Sequence, residues 1–136
     1  MSPQMRLQRY LERQRELFES LSSILDRQFD AIRRGDSELL AVQAAAERAA
    51  VDELAVLQRS IQTLREAGAG SPAPACEEAV RRAREQVLRG NRRNRELLGS
   101  SLDELRRLIR ELQGRPRTPA SPFADIGRPT WVDLLS

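Results

Sequence analysis

The side chains best placed to do chemistry in this sequence are amides, guanidiniums and leucines, gathered between residues 81 and 112. Asn91 and Asn94 stand three apart, which puts both on one face of any helix that carries them. Around them lie Arg81, Arg82, Arg84, Arg89, Arg92, Arg93 and Arg95. Next come Leu97, Leu98, Leu102, Leu105, Leu108, Ile109 and Leu112, covering an arc of about 140° at 100° per residue. This is the chemistry of recognition. Catalysis lacks its usual parts: the chain has no His and a single Cys, Cys76. There is thus no imidazole base, no thiolate zinc site and no intrachain disulfide. A carboxylate-only mechanism is the one enzymatic route left, and nothing in the spacing favours it. The chain reads as a non-enzyme, with no cofactor and no metal expected.

Each feature has a plain reading beside the functional one. On a helical seam, Asn91 and Asn94 occupy positions where Leu would normally sit. A buried amide costs stability unless paired, yet it fixes register and partner choice. A polar layer inside the protein is the plain reading; a face turned to a partner helix is the other. Gln14, Gln28 and Glu47 interrupt their own seams in the same way, and Glu47 is expected at a height similar to that of the Asn pair. The arginines carry no interleaved aromatic, point around the helix and are diluted by Glu77, Glu78, Glu85 and Glu96. They read as a solvated face rather than a nucleic-acid patch, with an acidic protein partner as a further possibility. The Leu97–Leu112 arc is either core alone or core plus a groove that receives an amphipathic helix.

Such side chains need long helices to carry them, and the sequence supplies three. With Leu7 at heptad position a, the a, d and e positions run Leu7, Tyr10, Leu11, Gln14, Leu17, Phe18, Leu21, Ile24, Leu25, Gln28, Ala31 and Ile32. Ten of these twelve are apolar, which predicts a bundle helix over about 4–34. Gly35 suits a left-handed helix end and Asp36 a helix cap, predicting a hairpin into a second helix over about 36–66. The alternative is one very long helix weakened at Gly35. The second seam shows Leu40, Ala50, Leu54, Leu57, Ile61 and Leu64. After the break AGAGSPAPA, a third helix is expected over about 76–113, with Val80, Arg84, Val87, Asn91, Asn94, Leu98, Ser101, Leu105, Leu108 and Leu112 on its seam. No alternation of the strand kind appears. The expected fold is all-α: a long antiparallel three-helix bundle, coiled-coil-like, over residues 1–113, then a Pro-rich, mostly irregular tail over 114–136.

At 136 residues the chain has room for one core of moderate size. Its basic residues are all Arg, 23 against 20 acids, for a net charge of +3. Residues 1–67 carry −1, residues 77–117 carry +5 and residues 118–136 carry −1. No run is apolar enough for a signal peptide or a membrane span, so a cytosolic protein without membrane insertion is expected. The tail ends SPFADIGRPTWVDLLS. Phe123, Ile126, Trp131, Leu134 and Leu135 on a Pro-rich segment read as a docking motif that orders on binding, or as apolar residues folded back onto the bundle.

Three stretches together resemble the FlgN-type flagellar export chaperones. FDAIRRGDSELL at the first helix junction is similar to the family's apolar-helix, Gly-Asp, Leu-Leu pattern. NRRNRELL, Asn91 to Leu98, resembles its paired-Asn and Leu-Leu stretch in the third helix. FADIGRP, Phe123 to Pro129, is similar to its C-terminal aromatic, three residues, Gly element. The resemblance implies a bundle of long antiparallel helices that holds the hook–filament junction proteins, FlgK and FlgL, through their C-terminal helical segments and presents them to the flagellar type III export gate. It would make Leu97–Leu112 the client groove. Phe123, Gly127, Trp131, Leu134 and Leu135 would form the tail docking motif. Phe123 departs from the Tyr frequent in the family and loses a hydroxyl donor. The alternatives are a coiled-coil scaffold or adaptor that self-associates on the same leucines, and an Arg-driven nucleic-acid binder with steep salt dependence. Client affinity, stoichiometry and homo-oligomerisation stay open.

Overall fold

The computed structural model describes residues 2–114, and the tail expectations at Phe123, Gly127, Trp131, Leu134 and Leu135 lie outside the described residues. Three helices account for nearly all of that span: α1 (Pro3–Arg34), α2 (Ser37–Glu66) and α3 (Pro74–Gln113). No strand occurs among the described residues.

Local chemistry ends each helix where it does. Ser2 accepts the Met5 N–H at 3.1 Å and Pro3 takes the first helical position, where its missing N–H costs nothing. At the far end of α1, Gly35 has φ 66°, and the Gly35 and Asp36 N–H groups close onto Ile32 and Ala31 oxygens at 3.2 and 2.9 Å. This pair of bonds satisfies two carbonyls the helix would otherwise leave open. The Asp36 carboxylate then accepts the Leu39 N–H at 3.0 Å and starts α2. One residue thus closes one helix and caps the next, so a hairpin forms in place of a single long rod. The same closure recurs after α2, where Gly68 (φ 79°) and Ala69 bond back to Arg65 and Leu64 at 3.1 and 3.0 Å. Pro74 opens α3, two residues ahead of the expected start at Cys76.

Helix α1 is the shared partner. It packs along both α2 and α3, while those two scarcely touch each other. Leu17, Phe18, Leu21 and Leu25 of α1 meet Ala50, Leu54 and Leu57 of α2 and Ala83 and Val87 of α3 in the main core. A second cluster of Leu7, Leu11, Ile61 and Ala69 fills the end where α1 begins. The α3 seam differs from expectation at one place: Ala83 is buried and Arg84 is exposed. The reason is close approach. A Cβ on Gly90 would stand 3.4 Å from Leu25, so α3 turns its small side chains toward α1 and a long guanidinium has no room there.

Candidate docking site

The third helix is fixed to α1 by a polar cluster at its middle. Asn91 and Asn94 are both buried, at 8% and 5% exposure. Asn94 Nδ2 donates to the Leu25 carbonyl at 2.7 Å. Arg93 donates through Nε to Asn94 Oδ1 at 3.2 Å and through Nη2 to the Leu25 carbonyl at 3.3 Å and Asp26 Oδ1 at 3.0 Å. Its guanidinium also lies over the Phe29 ring, 4.3 Å from the centroid. The two asparagines therefore face α1, and Asn94 has its amide engaged there. The other seam interruptions are paired across α1 and α2: Gln14 donates to Gln58 at 3.1 Å and Gln28 to Glu47 at 3.3 Å. Glu47 meets α1 within one turn of the carbonyl that receives Asn94, so a polar layer crosses all three helices at that height.

The same contacts set how far α3 slides along α1. Asn94 sits on Leu25 and Arg93 on Asp26, an offset of 69 and 67 positions between helices that run the same way. Arg34, the last residue of α1, is then level with about residue 102. Helix α3 continues to Gln113, roughly eleven residues and about 16 Å beyond its neighbours at 1.5 Å per residue.

The leucine arc lies across that step. Leu97, Leu98, Leu102 and Ile109 are half-buried. Leu105, Leu108 and Leu112 are 46%, 43% and 88% exposed. None of the seven is fully buried, and the projecting part is one face of a single helix rather than a walled groove. Arg107 pairs along the helix with Glu104 at 2.5 Å and Glu111 at 2.6 Å, which keeps the flanks of the apolar face charged and ordered. The Arg107 guanidinium holds the Glu104 carboxyl below its usual range.

The remaining arginines are mostly neutralised at the surface. Glu78 is held down to about 2 by its hydrogen bond to Arg81, with Arg82 adding to the effect. Arg81 also pairs with Glu85. A cleft of about 200 Å³ opens between α2 and α3 over Leu11, Gln14 and Phe18. Its polar lining is largely paired already, with Arg65 bridging to Glu77 at 3.5 Å across the gap. Cys76 is half-buried near it, and burial pushes its thiol up, away from the reactive thiolate. No group of His, Cys, Asp and Glu among the described residues is arranged to hold a metal ion. No described helix is long and apolar enough to cross a membrane.

Sequence reading missed Gln58 and the Phe29–Arg93 contact. Their only signal was position: Gln58 lies on the α2 face beside Leu54 and Leu57, and Phe29 is the aromatic next to a marked seam glutamine. Comparison with known proteins agrees with a helical chain of this kind. The family model described as FlgN protein matches residues 1–121. No curated protein and no solved structure gives a significant match.

Proposed function

This chain belongs to the FlgN protein family of flagellar export chaperones, and from that premise we propose that it holds hook–filament junction proteins of the FlgK and FlgL kind. It takes up their C-terminal helical segments in the cytosol, keeps them from assembling early and delivers them to the export gate. The observation that carries this reading is the bare apolar face of α3 beyond the end of α1. An amphipathic client helix laid along Leu98, Leu102, Leu105, Ile109 and Leu112 covers apolar surface on both partners at about 25 cal/mol per Å². A face on one projecting helix is also modest in area, which suits a complex that must come apart at the gate. Asn91 and Asn94 act one step removed: by locking α3 to α1 they set how much of the leucine arc projects. Phe123, Gly127, Trp131, Leu134 and Leu135 serve as the docking motif for the gate.

The test is size-exclusion chromatography with light scattering, mixing the chain with the C-terminal helical segment of the same organism's FlgK-like protein. A complex of defined stoichiometry is expected. Leu102→Asp and Leu105→Asp should each abolish it. Leu105 is exposed, so its variant keeps the helical circular dichroism of the parent, and a folded Leu105→Asp chain that still binds refutes the assignment. If no complex forms and the chain associates with itself through the same leucines, it is a scaffold instead.

A further inference from the structure

We propose that the segment after Gly114 folds back within the same molecule and covers the projecting apolar face of α3, so that the face is self-capped until another helix takes it. Four observations converge. The face is bare: Leu105, Leu108 and Leu112 have no helix opposite them. The exit is turned: Gly114 has φ 62° and its N–H closes onto the Glu111 oxygen at 3.3 Å, a left-handed end that stops the helix and directs the chain aside from its axis. The following 22 residues carry the matching chemistry, with Phe123, Ile126, Trp131, Val132, Leu134 and Leu135. Their length suffices, since Trp131 lies seventeen residues past Gly114, a reach of up to about 55 Å when extended, against roughly 15 Å of helix to be covered.

The occupant is this segment rather than a second copy for a reason of concentration. A short tether holds the tail at an effective concentration on the order of millimolar, which a second molecule in dilute solution does not match. Pro116, Pro119, Pro122 and Pro129 keep the segment from continuing as helix and pre-extend it, which lowers the ordering cost of seating it. The consequence for clients rests on the chaperone reading: an incoming helix must displace the tail, so the tail sets the working affinity of the face.

Trp131 is the chain's single tryptophan and reports directly. In the full chain, with no client present, its emission should be blue-shifted from that of the denatured chain, and unchanged over about a hundredfold dilution. The double variant Leu108→Asp, Leu112→Asp should move it to the denatured position while leaving circular dichroism unchanged. Leu134→Asp with Leu135→Asp should do the same from the other side, and Val42→Asp, an exposed site on α2, should not. Emission already at the denatured position in the parent overturns the proposal. So does a blue shift that the α3 variants leave in place, which would seat the tail elsewhere. A shift that fades on dilution assigns the cover to a second copy and overturns it too. Because no client is added, these results stand apart from success or failure of the mixing experiment.

Discussion

Asn94 occupies a seam position that a leucine would fill with less risk. Its amide reaches the Leu25 carbonyl and takes a bond from Arg93, and the cost of burying it is met by those partners. We expect Asn94→Ala to cost about 1–2 kcal/mol in urea unfolding, because it removes a buried bond and leaves Arg93 half-matched. Arg93→Lys keeps the charge but loses the flat fork that serves Phe29, Leu25 and Asp26 together; about 0.5–1 kcal/mol should go, measured the same way. The titration behaviour is also readable here. With no His in the chain, the thermal midpoint should stay flat from pH 5.5 to 7.5, on a scale set by. The Glu78 carboxyl is held at about 2, below the ordinary 4.5. Its pairing with Arg81 therefore stabilises α3 above pH 4.5 and is lost as pH falls through about 2. Glu78→Gln should flatten that acid limb of a pH–melting profile. Polar residues on the seams were legible as anomalies. Their partners were not, since a backbone carbonyl 69 positions away leaves no mark in local spacing.

Helix ends and the small-residue contact decide how the rods lie. Gly35 meets nothing that a Cβ would strike, so Gly35→Ala tests backbone strain alone. At φ 66° a loss of about 1–2 kcal/mol is expected by denaturant titration. Gly90 asks the opposite question. Its helical position would gain up to about 1 kcal/mol from alanine, and the 3.4 Å clearance to Leu25 admits one methyl. Gly90→Ala should be neutral or stabilising, whereas Gly90→Leu should lift α3 off α1 and lower the midpoint by several degrees, in line with overpacking of about 1–3 kcal/mol. The Gly35–Asp36 junction could be read from two residues because capping is local chemistry. The Ala83-for-Arg84 register could not: alanine and glycine are weak hydrophobic signals, and their role follows from how near α1 comes.

Two helices of about equal length joined by a tight turn can bury one another fully; a third that is longer and slides forward cannot. Helix α3 has 40 residues against 32 in α1, and its surplus lies at one end. Removing residues 120–136 should leave the thermal unfolding of the three helices unchanged, since the two core clusters lie wholly within residues 7–88. Loss of helical signal in that truncation would show the tail to be core. The sequence alone determined the helical class, the hairpin at Gly35 and the existence of a seven-residue apolar arc, because periodicity and capping act over one or two turns. Tertiary structure alone decided which part of that arc is bare. Whether Leu105 faces a neighbour or open space depends on the register between α1 and α3, and that register is set by Asn94 and Arg93 meeting Leu25 and Asp26 far away along the chain.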